Sequence, residues 1–162
     1  MMILDFLQHT APPFFHLAQG DPDSVLARLA PLAAEPHALV RHLRGTKMRT
    51  LQGLFDELAS ALQFPPYFGE NWDALDDCLN DLDWLPVGAC TLLVLDTQHV
   101  LDRAEPADRT ALAEILKSAA EAWNGSRPFH VVLHRAEGSN LPPLARELRG
   151  LGTELDAPAW LA

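Results

Sequence analysis

The chain has 162 residues, 48% hydrophobic and 21% charged, with a formal net charge of −10. That length and mixture describe one globular domain with room for a real core, and exclude a disordered or low-complexity chain. The acidic balance argues against direct binding to RNA or DNA, whose phosphates it would repel, and favours a basic partner such as a nucleic-acid-binding enzyme. No apolar run approaches membrane-spanning length. Met1–Phe6 lacks a basic n-region and carries Asp5, so no signal peptide is read there. Cys78 and Cys90 fall on buried positions of a predicted helix and strand. They read as free thiols in a reducing compartment, with the cytoplasm as default.

Residues 1–36 are punctuated by Pro12-Pro13, Gly20, Pro22, Pro31 and Pro36. Two pieces can be ordered: an apolar start at Ile3–Leu7, and a short helix near Asp23–Leu32 capped by Asp23 or Ser24. The segment is read as an extension that packs on a sheet or covers an edge strand. Ala38–Leu43 is a predicted strand ended by Gly45. Thr50 then caps a helix with apolar residues at Leu51, Leu54, Phe55, Leu58, Ala61 and Leu62. Thr91–Leu95 has the unbroken apolar character of a strand buried on both faces. Ala107–Trp123 is helical in pattern and ends at Asn124-Gly125, and Phe129–Leu133 is a third strand. A short helix at Leu144–Leu148 and a terminal strand or tail close the chain. This order predicts an α/β fold with a small parallel three-stranded sheet packed with helices.

The most informative stretch is Phe64–Leu85, FPPYFGENWDALDDCLNDLDWL. Pro65-Pro66 bars a helix before Tyr67, Gly69 supplies a flexible corner, and Asn71 caps a helix from Trp72 to about Leu82. Trp72, Ala74, Leu75, Cys78, Leu79 and Leu82 share one side of it; Asp73, Asp76, Asp77, Asn80 and Asp81 share the other. Glu70–Asp83 holds six acids and no Lys or Arg. Like charges at i,i+4 (Asp73–Asp77, Asp77–Asp81) each cost a few tenths of a kcal/mol, and Asp81 and Asp83 lie at the helix end whose dipole favours cations. An ordinary solvated face would be better served by Glu. Short, rotamerically poor carboxylates instead suit a negative surface shaped for a basic pocket.

Pro65-x-Tyr67-Phe68-Gly69-Glu70-Asn71-x-Asp73-Ala74-Leu75-x-Asp77-Cys78-Leu79 resembles the signature of the barstar family of ribonuclease inhibitors. The likeness is ungapped from about Thr50 to Leu79 and looser from His37 to Leu133. It implies a small intracellular protein that plugs the active site of a barnase-like ribonuclease. By that resemblance Tyr67 packs against the nuclease's catalytic region, Gly69 and Asn71 touch it through backbone and amide, and Asp73 faces its basic residues. Asp77 enters its phosphate pocket as the main anchor. Cys78 matches a buried family cysteine. The chain departs from the family at Asp76 and Leu82, where tryptophans are expected. It also departs at Ser118, where a later helix should offer an acid, with Glu121 one turn further on.

Seven histidines invite a metal or catalytic reading. His130 and His134 lack acid or thiol companions at ligand spacing, and His9 and His16 lie in the irregular N-terminal region, where solvated histidines are ordinary; no HExxH, CxxC or phosphate-cradling glycine loop occurs. A convex acidic helix also offers no cleft for acid–base catalysis. A carboxylate does mimic phosphate in charge and in taking bidentate arginine contacts. The expectation is therefore a barstar-like domain at 37–134 with extensions at 1–36 and 135–162, not an enzyme, with no metal or cofactor. Its surface for a basic ribonuclease consists of Tyr67, Gly69, Asn71, Asp73, Asp76, Asp77 and Asn80. The alternative is a binding module of the same fold for a different basic protein or toxin.

Overall fold

The computed structural model of the protein describes residues 7–81 and 88–161, the Trp160 side chain excepted. The predicted start at residues 3–6 and the expected helix end at Leu82 therefore lie outside the described residues; Leu7 is buried.

Five strands form one parallel sheet: β1 (Phe15–Gln19), β2 (Ala38–Arg44), β3 (Ala89–Leu95), β4 (Phe129–Arg135) and β5 (Leu155–Asp156), in the order β2-β3-β4-β1-β5. The three predicted strands are its β2-β3-β4 side, so the expected three-stranded sheet is corrected to five. The reason lies in β4, buried from Phe129 to His134. Such a strand left at an edge would bury unpaired backbone donors and acceptors. β1 satisfies them, pairing Phe15 with Val131 through Gln19 with Arg135, and β5 then pairs Phe15–His16 through Leu155–Asp156. The two alternatives expected for the N-terminal segment both occur within residues 7–36: β1 covers an edge, and a helix packs on the sheet.

The helices are α1 (Pro22–Ala33), α2 (Leu51–Leu62), α3 (Trp72–Asp81), α4 (Pro106–Trp123) and α5 (Pro143–Gly150). The crossover from β1 to β2 runs across the sheet in one direction; those from β2 to β3, β3 to β4 and β4 to β5 run in the other. Right-handed connections must then place α1 on one face and α2–α5 on the opposite face. The core follows that division. Phe15, Leu17, Leu92, Val94, Val131 and Leu133 pack with the buried sides of α2–α5. Ala18, Leu93, Leu95 and Val132 meet Leu7, Leu161 and the α1 residues Val25, Leu29 and Leu32.

Local chemistry sets the boundaries. Thr50 caps α2 as predicted, its hydroxyl accepting from Gly53 N–H at 3.1 Å. The cap of α1 is Asp21 rather than Asp23 or Ser24: its carboxylate accepts from Ser24 N–H at 3.1 Å, leaving Pro22 at the first helical position, where no N–H is needed. The exposed edge strand β2 is blunted by Arg44. Its guanidinium forks onto Glu57 at 2.8 Å, while its own backbone N–H also donates to that carboxylate. The side-chain hydrogen bond from Arg44 is the main reason that the Glu57 carboxyl lies below its usual range.

Candidate protein-binding site

The loop between α2 and α3 is built from its aromatic residues outward. Gln63 ends α2 in the left-handed conformation (φ 54°), and Phe64 N–H returns to Ala59 O at 3.0 Å. Phe68 N–H then closes a turn on Pro65 O at 3.0 Å, with Pro66 and Tyr67 at its tip. Beneath the turn, Phe68 makes edge contacts with Phe64 (4.9 Å between centroids) and Phe55 (5.9 Å), and Phe55 meets Trp72 at 5.4 Å. Three buried or half-buried rings and an indole thus anchor a loop that leaves Tyr67 80% exposed, the exposed large hydrophobic side chain of the described residues. An amphipathic ring held out on a packed base is a contact surface at low entropic cost.

Asn71 joins loop to helix. Its Oδ1 accepts from Ala74 N–H at 2.8 Å, and its Nδ2 donates to Gly69 O at 3.2 Å. The amide expected to touch a partner is therefore already occupied in holding the loop. The left-handed corner falls on Glu70 (φ 51°), not on Gly69, and Gln52 Nε2 donates to the Glu70 carboxylate at 3.1 Å. Gly69 has a different constraint: a Cβ there would stand 3.0 Å from Asn71 Nδ2.

Helix α3 buries Leu75, Cys78 and Leu79, and Trp72 and Ala74 are half-buried. Trp123 of α4 donates from Nε1 to Leu79 O at 2.8 Å, tying the two helices. Asp73 and Asp77 are exposed. Asp76 and Asn80 are half-buried, and Asn80 Nδ2 donates to both Asp76 O (2.7 Å) and Asp76 Oδ1 (2.9 Å). The second of these bonds holds the Asp76 carboxylate, and the first ties Asn80 to the helix backbone. Among the described residues no basic side chain forms an ion pair with Asp73, Asp76 or Asp77.

The seven predicted residues thus lie on one continuous loop-and-helix unit. The structure adds one acid that sequence alignment by motif missed. An open groove between α3 and α4 is lined by Trp72, Asp73 and Asp76 on one side and by Ala111, Glu114 and Ser118 on the other. Glu114, one turn before Ser118, brings the α4 carboxylate to this groove. Glu121 instead pairs with Lys117 at 2.8 Å. The missed signal was the 3.6-residue period of α4 itself: Glu114 and Ser118 are i,i+4 neighbours on one face.

Both thiols are shifted away from the thiolate form. Burial, reinforced by the Asp77 and Asp81 charges, pushes the Cys78 thiol up, and burial pushes Cys90 up to about 12. Both are free. Among the described residues no cluster of three or more His, Cys, Asp or Glu side chains is placed to hold a metal ion. Likewise, none of the helices is long and apolar enough to cross a membrane. One histidine expectation is overturned: His16 is not solvated but wholly buried in β1, against His130.

A family model described as Barstar (barnase inhibitor) matches residues 38–134. No curated protein matches the chain. Among solved structures, the Aeropyrum pernix ORC2 protein (ADPNP-ADP complexes) is similar at 10% identity with a TM-score of 0.58, over 91% of this chain and 42% of that one. A chain of Drosophila ORC bound to GC-rich DNA and Cdc6 is similar at 13% identity with a TM-score of 0.51, over 98% of this chain and 51% of that one. This chain spans about half the length of those chains or less, and at such identities the likeness is one of fold alone.

Proposed function

The chain belongs to the barstar family, and from that premise we propose that it is a protein inhibitor of a basic, barnase-like ribonuclease and not itself an enzyme. The observation that carries this reading is the set of carboxylates at Asp73, Asp76 and Asp77, fixed on a packed helix, without cationic partners among the described residues, beside the exposed Tyr67. Short carboxylates in that setting are matched to a pocket that grips phosphates, and they offer it nothing to cleave. Tyr67 supplies apolar area at the rim, while Gly69 and Asn71 hold the loop that presents it.

Asp76 sharpens the partner. Held by Asn80, it lines the α3–α4 groove together with Asp73 and Glu114, a recess of three carboxylates. A guest that offers an additional Arg or Lys there gains a paired charge, and one that offers an apolar side chain leaves carboxylates desolvated. A barstar-fold module for another basic protein is the second reading, favoured by this same departure from the family's tryptophan. Affinity capture from the protein's own cells, followed by ribonuclease assay of the captured material with and without added protein, separates the two. Recovery of a basic ribonuclease whose activity falls stoichiometrically supports inhibition. Capture of a basic protein without ribonuclease activity supports the second reading.

A further inference from the structure

The α3–α4 groove does not end at α4. Glu114 and Ser118, which line it, also line a second open recess together with Lys117, Glu121 and Leu151. Those three residues in turn border a cleft of about 310 Å³, which α4 forms with the segment before β1 and with the turn between α5 and β5. From Ala111 to Glu121 the run follows about 15 Å of helix at 1.5 Å per residue.

The cleft differs from the groove in its lining. Pro12, Phe14, Phe15 and Leu151 make it largely apolar, and Phe14 and Leu151 are only half-buried. Glu121 and Glu154 stand exposed beside that apolar surface, and Lys117 is already bonded to Glu121 at 2.8 Å. Thr153, in the same wall, has a buried Oγ1 with no hydrogen-bond partner among the described residues, a deficit that an entering peptide group can relieve. Along the whole run, five carboxylates (Asp73, Asp76, Glu114, Glu121 and Glu154) meet one ammonium, that of Lys117.

We propose that the run is one docking surface, and that its cleft takes a second element of the basic protein held by α3: an exposed segment with an apolar side chain flanked by Lys or Arg. The apolar side chain enters beside Phe14 and Leu151, and the cations lie against Glu121 and Glu154. This rests on the reading of α3 as the face for a basic protein, whichever of the two partners proposed above applies. The size of the cleft, at the small end for a ligand pocket, suits one or two side chains of a docked segment. The charge along the run repels nucleic acid, and a second copy of this chain would set the same carboxylates against themselves. The cleft is built by residues 12–15 and 151–154 with α4, whereas the family match covers 38–134. A domain limited to the matched residues has the groove and lacks the cleft, so the two extensions serve to discriminate among basic partners.

The test uses the full chain. A capped arginine–leucine–arginine tripeptide, followed by amide NMR shifts, should perturb residues 14–15, 117–121 and 151–154, and its glutamate–leucine–glutamate counterpart should not. Against the basic protein recovered by capture, the double variant Glu121→Lys, Glu154→Lys should bind more weakly than wild type by about tenfold or more, since both reversals are exposed and set cation against cation. Should that variant bind as wild type while Asp77→Ala binds weakly, the α3 reading stands and this inference falls. Should neither change affect affinity, both fall. Silence at 14–15 and 151–154 with the cationic peptide also overturns the inference. So does self-association that perturbs those residues without peptide, which assigns the cleft to a second copy.

Discussion

Asp77 is exposed in the middle of α3, with Asp73 one turn before it and Asp81 one turn after, and among the described residues no basic side chain pairs with it. On the proposed reading its use is in binding. Asp77→Ala is expected to weaken partner affinity by more than about 2 kcal/mol, the scale on which desolvated charges become hot spots, and to leave thermal stability level or slightly higher as i,i+4 repulsion is relieved. Titration calorimetry against the captured partner, beside a thermal melt, reads both. His130 gives a prediction of the opposite kind. Its folded pKa of about 4 lies below the ordinary 6.5, so the neutral form is the folded one. The stability that this contributes is fully present above about pH 6.5 and is lost as the pH falls toward 4, a loss of up to about 3 kcal/mol. Protonation at Nδ1 would also break the bond from His16. Urea midpoints across that window should drop in wild type and drop less in His130→Gln.

The elements that were legible in sequence share one property: their signal is local. Ala89–Leu95 is apolar enough to demand burial on both faces, and the α2 and α3 caps at Thr50 and Asn71 sit where Ser, Thr, Asn or Asp must precede an apolar period. β1 was not legible, because FHLAQ is five residues between prolines and glycines and carries a histidine that looks solvated. What makes it a strand is the unmet hydrogen bonding of β4, more than a hundred residues away, and His16 finds a hydrogen-bond partner in Asp156 near the other end of the chain. β5 is two residues long and has no pattern to detect. Asn71 shows the element scale at work within the candidate site, since one side chain both starts α3 and holds Gly69. Asn71→Ala should cost about 1 kcal/mol of stability through the lost cap. It should also weaken partner binding through the loosened loop, whereas Asn71→Asp keeps the cap and loses only the Nδ2 bond to Gly69. Comparing the two variants in denaturation and binding separates capping from presentation.

At the scale of the whole molecule, residues outside the family match complete the sheet that carries the site. A parallel sheet places ligands at the carboxyl ends of its strands and phosphates at helix N-termini. Here the helix after β1 is capped by its own Asp21, with Asp23 in its first turn, so carboxylates fill the place where a phosphate would need bare N–H groups. Truncation to 38–134 would strip β1 from β4 and leave Val132 without the α1, Leu7 and Leu161 side of its core. The fragment should be less stable by several kcal/mol and prone to associate through the bared β4 edge, as denaturation and sedimentation would register. The proposed partner-binding face, by contrast, would act at long range through its charge. Glu70, Asp73, Asp76, Asp77 and Asp81 cluster on one unit, Glu114 joins them across the groove, and the chain as a whole carries −10. A basic partner approaching that face is steered before contact, over a distance set by the ionic strength: roughly 30 Å at 0.01 M salt and about 8 Å at 0.15 M. The association rate should therefore fall by about tenfold or more across that range, while the dissociation rate, governed by contacts already formed and desolvated, changes far less. Stopped-flow mixing over a salt series measures both rates. An association rate indifferent to salt would mean that partners dock elsewhere, because no surface this negative can meet a cationic one without feeling the ions between them.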